Sequence, residues 1–146
     1  MPEASFYILP SQTLSERYLF ACKLIEKAYR SGQFCYVYTD SDQQSQQLDN
    51  QLWTFRDNSF IPHQIYEENI PEYEQTILIG TKAAPEKWQK LIFNLSSKYP
   101  DNLTQTERVL EILDNDEELK LAGRHRYRQY KQDGFKMTSH DMSTRP

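Results

Sequence analysis

Two short apolar runs near the start of the chain, Ser5 to Leu9 (SFYIL) and Phe34 to Tyr38 (FCYVY), constrain the fold most, because each is followed by a stretch of helical spacing. Neither run alternates apolar with polar residues, and this suits strands covered on both faces. Between them, Leu14, Tyr18, Ala21, Leu24, Ile25 and Ala28 recur at a helical period, and Gly32 stands where a C-cap belongs. Asp40 or Ser41 is placed to cap a second helix carrying QQSQQLDNQLW. Strand, helix, strand, helix with short links predicts an α/β fold, a mostly parallel sheet with crossover helices. Further along, Thr76 to Gly80 (TILIG) and Leu91 to Leu95 (LIFNL) read as a third and fourth strand, with one helical turn at PEKWQ between them. Residues 103–113 read as a helix with Leu103, Val109, Leu110, Ile112 and Leu113 on its apolar side, and Asp116 caps a last helix from about 117 to 133. The domain is expected to span 1–135, with 136–146 a loose, polar tail.

A chain of 146 residues is enough for one domain with a proper core. Its formal charge is −4, but residues 120–136 hold six Lys or Arg against one Asp, a local +5 that leaves −9 for the remainder. An acidic bulk argues against direct nucleic-acid binding, which draws its affinity from neutralising many phosphates at once. Cys22 and Cys35 lie in apolar or aromatic stretches and form no C-x-x-C pair, so both are expected as buried free thiols in a reducing cytoplasm. No export signal and no membrane-spanning run is legible.

Enzyme motifs are absent. There is neither G-x-G-x-x-G nor G-x-x-x-x-G-K-[ST], and only four glycines are available to build a phosphate loop. Gly80-Thr81-Lys82 reads as a strand-ending turn. His63, His125 and His140 lack metal-motif spacing, with His63 closing a turn after Pro62, so neither metal nor cofactor is expected. Glu67-Glu68 and Glu117-Glu118 sit beside loop or helix-start signals, where solvation or the helix dipole accounts for them, and no G-x-S-x-G elbow is present. The chain therefore reads as non-catalytic.

Two stretches invite partners. Lys120, Arg124, Tyr127 and Lys131 fall at spacings of four, three and four, so on a helix they share one face as a cationic row with an aromatic set in it. Gly134 can end that helix, and Phe135 then sets an apolar side chain beside the row. The row is either a solvated helix face or a socket for an acidic partner. Leu52 to His63 (LWTFRDNSFIPH) gathers Trp53, Phe55, Phe60, Ile61 and Pro62 at a helix end and the loop after it. Such density either folds back as a satellite core or meets a partner.

With these segments assembled, the chain resembles the chi subunit family of bacterial DNA polymerase III, over nearly its whole length. FYIL at 6–9, LWTF and SFIPH within 52–63, NLS at 94–96, ERVLEILDNDEE at 107–118 and RHRYRQYKQDGF at 124–135 occur in that family's order and spacing. The resemblance implies a Rossmann-like domain without nucleotide chemistry, acting as an adaptor in the clamp-loader assembly. It implies two partners: the psi subunit, met by Trp53, Phe55, Phe60, Ile61 and Pro62, and the acidic, Phe-terminated tail of single-stranded DNA-binding protein. Lys120, Arg124, Tyr127, Lys131, Gly134 and Phe135 fall on the tail-binding end, with Arg124 suited to a terminal carboxylate and Tyr127 and Phe135 to walling a ring pocket. An iron–sulfur helicase is an alternative partner of the aromatic surface, and a nucleotide-binding or nucleic-acid-processing enzyme is the alternative function. Two departures stand out: Gly123, where the family usually has alanine, predicts a less rigid helix at about 1 kcal/mol, and RDN at 56–58 lacks an expected proline.

Overall fold

The computed structural model describes residues 1–11, 13–56, 60–71 and 76–142. Strand β1 (Glu3–Ile8) leads into α1 (Leu14–Arg30), β2 (Tyr36–Tyr38), α2 (Asp42–Thr54), β3 (His63–Ile65) and β4 (Ile77–Gly80). A 3-10 turn at Glu86–Trp88 precedes β5 (Leu91–Asn94), β6 (Arg108–Leu113), α3 (Glu117–Gln132) and β7 (Lys136–Asp141). The seven strands form one sheet in the order β3-β4-β2-β5-β6-β1-β7, with every pairing parallel. Both faces are covered, as an all-parallel sheet requires. Tyr18, Ala21, Cys22 and Ile25 of α1 join Leu48 and Leu52 of α2 over Val37, Ile79, Phe93 and Ile112. On the other side, Tyr130 and Phe135 join Trp88 over Ala4, Phe6, Ile92, Val109 and Leu113.

The helix starts follow their capping residues. Thr13, Ser41 and Asp116 each accept from the backbone N–H three residues on, at 3.3, 3.1 and 3.0 Å. Of the two candidates at the second helix, Ser41 is the cap. The Asp40 carboxylate turns instead to the loop after β5, where it accepts from Ser97 N at 2.9 Å and Ser97 Oγ at 3.0 Å. Both cysteines are buried and unpaired, and burial pushes the Cys22 thiol up to about 12.

Three elements differ from the sequence expectation. Within 103–113, Arg108–Leu113 form a central strand, not a helix. Val109 and Leu113 join one core while Leu110 and Ile112 join the other, so the apolar run has no clear period of either kind. Lys136–Asp141, expected loose, form edge strand β7, because the turn at Gly134 returns the chain alongside β1 in register from Glu3↔Lys136 to Ile8↔Asp141. The short edge strand β3 was not anticipated. The RDN departure falls largely outside the described residues, which omit 57–59.

The polar groups that tie α3 to the sheet are buried. Arg126 grips Glu111 of β6 with two parallel bonds, Nε to Oε2 and Nη2 to Oε1, both 3.0 Å. Tyr130 Oη and Asn94 Nδ2 also donate to Glu111 Oε2, at 2.7 and 2.8 Å, and Arg126 Nη1 reaches the Ser97 carbonyl at 3.1 Å. Burial and the adjacent Glu111 carboxylate push the Tyr130 phenol well up, so it remains a donor. On the opposite face, buried Arg17 donates to the carbonyls of Ile112 and Leu95, at 2.7 and 3.3 Å.

Removing one member of the Glu111–Arg126 pair leaves a buried charge without its partner. Glu111→Ala is therefore expected to lower unfolding free energy by about 3–5 kcal/mol in a urea titration. A loss below about 1 kcal/mol would show that the pair does not hold α3.

Candidate functional site

Helix α3 presents two faces with different work. Gly123, Arg126 and Tyr130 are buried toward the sheet. Lys120, Arg124, Tyr127 and Arg128 turn toward a cleft of about 320 Å³ between α3 and the last strands of the sheet. Phe6 and Ile8 of β1, Leu113 of β6 and Ser139 of β7 complete its lining. Parallel register places Phe6 beside Ser139 and Ile8 beside Leu113, so the floor is one continuous patch of sheet. Tyr127 packs on it with its ring centroid 5.3 Å from that of Phe6. The cleft thus has an apolar base and a cationic rim.

The rim cations are not equivalent. Lys120 Nζ donates to Asn115 Oδ1 at 2.9 Å and lies 3.2 Å from the exposed Glu117 carboxylate. Arg124 and Arg128 are exposed and make no ion pair with any described carboxylate. An arginine in that condition keeps its planar donor fork available to a carboxylate.

The six residues expected together at this end divide in two. Lys120, Arg124 and Tyr127 line the cleft. Lys131 is exposed on the last turn of α3 and does not line it. Gly134, at φ 91°, and Phe135 end the helix: Gly134 N donates to Lys131 O at 3.2 Å and Phe135 N to Tyr130 O at 3.0 Å, the paired bonds of a Schellman turn. Its usual apolar contact draws Phe135 inward, 7% exposed, with its ring 5.3 Å from Tyr130. Phe135 therefore belongs to the core and does not wall the cleft; Phe6, Ile8 and Leu113 do. Arg128 was legible in principle, four residues after Arg124 on the same face. The floor residues were not, since only the strand order brings β1, β6 and β7 under α3.

The aromatic stretch also divides. Trp53 and Phe60 are 52% and 68% exposed, with ring centroids 5.8 Å apart. His63 packs against Trp53: its ring is 4.5 Å from that of Trp53, with Nδ1 2.7 Å from the Ile61 carbonyl oxygen and Nε2 3.2 Å from that of Asp49. Ile61, 2% exposed, is core, and Pro62 is half-buried. Phe55 leaves the patch for a shallow groove with Ser15 and Leu19 of α1, under the Arg56 guanidinium. The stretch splits: Ile61 folds back into the core, while Trp53 and Phe60 remain exposed.

Other hollows have less chemistry. At the carboxyl ends of β2 and β5, where an open α/β sheet takes a nucleotide, a cleft of about 180 Å³ is lined by Asp40 and Asp101. The Asp40 carboxylate there accepts from the Ser97 amide, at 2.9 and 3.0 Å. Gly80 ends β4 against Tyr36, whose hydroxyl donates to Lys82 O at 2.6 Å, so GTK is a strand-ending turn. A wider cleft of about 500 Å³ at the amino ends mixes Lys87, Lys90 and Arg108 with Glu107. Among the described residues no metal-holding group of His, Cys, Asp or Glu is found, and no helix is long and apolar enough to cross a membrane.

Comparison with known proteins covers nearly the whole chain. A curated relative from Pseudomonas aeruginosa, DNA polymerase III subunit chi, is 32% identical over 140 residues, covering 96% of each chain. Relatives of the same name from Haemophilus influenzae and Escherichia coli are 26% and 24% identical, each covering 95% of this chain and 96% and 97% of their own. Residues 1–138 match the family described as DNA polymerase III chi subunit, HolC, and the chain belongs to that family, an accessory component of DNA replication.

Proposed function

We propose that this chi-family chain is a non-catalytic adaptor that captures the acidic, ring-terminated tail of single-stranded DNA-binding protein in the α3 cleft and joins the clamp loader through its exposed aromatic patch. The observation that carries the first half is a pair of exposed arginines, paired with no described carboxylate, above an apolar floor. A chain terminus fits both parts. Its carboxylate meets Arg124 through parallel N–H bonds, its last ring lies over Phe6, Ile8 and Leu113 beside Tyr127, and preceding aspartates face Arg128, Lys120 and, further out, Lys131. The inner contacts give specificity, while the outer charges mainly set the association rate and its salt dependence.

The acidic remainder of the surface supports a protein partner over bare nucleic acid, and a soluble cytoplasmic setting follows from the same role. For the second half, Trp53 and Phe60 form an exposed aromatic pair of the type that anchors interfaces, and the psi subunit is the proposed occupant. A nucleotide enzyme on this fold draws less support, because the cleft at the strand ends carries Asp40 and Asp101 and the sequence has no phosphate-loop motif.

Calorimetry with a peptide copying the tail's final residues tests the cleft. Wild type is expected to bind and to weaken as salt rises, with Arg124→Ala costing about 2 kcal/mol, roughly thirtyfold. Undiminished binding by Arg124→Ala would place the tail elsewhere. Co-purification with psi tests the patch: Trp53→Ala and Phe60→Ala should each reduce capture about tenfold or more, while unfolding free energy changes by less than about 1 kcal/mol. Full capture by both variants would mean that the patch is not the interface.

A further inference from the structure

Gly123 lies buried in the middle of α3, a position that disfavours glycine on helix propensity alone. The reason is contact with the sheet. A Cβ at 123 would stand 2.5 Å from Leu113 Cδ1 and 3.3 Å from Cδ2, so the end of the Leu113 side chain occupies the notch the glycine leaves. Both residues line the candidate cleft.

A methyl group at 123 must displace something. Helix α3 is held three residues on, where Arg126 is locked to Glu111, and again at Tyr130. The far end of Leu113 is a flexible branch and is the cheaper part to move. Around it the sheet is close-packed, with Ile8 beside it in register and Val109 on the same face. The open volume within reach is the cleft, which Leu113 already borders.

Taking the proposed tail-binding role as its starting point, the geometry points to the Gly123–Leu113 pair as the determinant of cleft depth, selecting a peptide terminus that bears a large ring over one with a small side chain. Glycine lets Leu113 withdraw into the helix and keeps the floor deep. Alanine turns Leu113 outward and makes the floor shallow, which penalises a deep-seated ring while leaving the rim arginines in place. Gly123 acts through Leu113 and is a positioning residue.

Calorimetry with two acidic peptides, identical except for a final Phe or Ala, tests this on the full chain. Wild type is expected to prefer the Phe peptide at least tenfold. Gly123→Ala should reduce that preference to threefold or less, with the Ala peptide bound as by wild type. Adding Leu113→Val removes about the volume that alanine adds and should restore the preference. Thermal unfolding of each variant verifies that it is folded; a Gly123→Ala protein that is at least as stable as wild type yet less selective separates depth from stability. A wild-type preference retained by Gly123→Ala would overturn the inference while leaving the tail reading intact. Arg124→Ala separates the two ideas: if it binds both peptides as tightly as wild type, the tail-binding reading itself fails and takes this inference with it.

Discussion

A buried ion pair has to be complete to be tolerated, and the Glu111–Arg126 pair sets the position of everything the carboxyl half of the chain presents to solvent. Glu111 is fully enclosed in the central strand β6, and its two oxygens take bonds from Arg126, Tyr130 and Asn94. Such geometry fixes α3 in rotation as well as in position. With Arg126 and Tyr130 turned inward, helical periodicity leaves Lys120, Arg124, Tyr127 and Arg128 no orientation but over the cleft. The Schellman turn at Gly134 then seats Phe135 in the core and launches β7, which supplies the floor residue Ser139. One polar cluster thus connects the stability of the sheet to the shape of the α3 cleft.

The amino half of the fold was legible because its signals are local. Apolar runs such as SFYIL and FCYVY, a helical period over Leu14–Arg30 and Gly32 at φ 80° each specify their own element. The carboxyl half was less so. Residues 108–113 face two cores at once, and their single carboxylate, normally a surface marker, is the buried partner of an arginine fifteen residues on. Likewise Arg126 adds to the positive count of its segment but is neutralised inside the protein by Glu111, so the exposed charge is smaller than the sequence count suggests. Gly123 reads as a weak point in a helix until the sheet beneath it is in place.

For the candidate sites, the helical residues Lys120, Arg124 and Tyr127 could be found from spacing, while Phe135 could not be assigned to core or cleft without the direction of the turn before it. In the aromatic stretch, composition marked the right region but not which rings stay outside. Trp53 and Phe60 remain exposed, with His63 packed against Trp53, while Ile61 packs inward. Family membership is consistent with an accessory role, and the two exposed features, one cationic with an apolar floor and one aromatic, lie on different elements, as an adaptor with two partners needs.

The central claim is that a helix locked to the sheet holds a cationic rim over an apolar floor that receives an acidic chain end. Backbone amide chemical-shift mapping of the labelled protein, titrated with an acidic peptide ending in phenylalanine, tests it most directly. Shifts concentrated at Lys120, Gly123, Arg124, Tyr127, Arg128 and Ser139 are the result this account predicts. Shifts centred on Trp53 to His63, or on the amino-end cleft around Lys90 and Arg108, would contradict it.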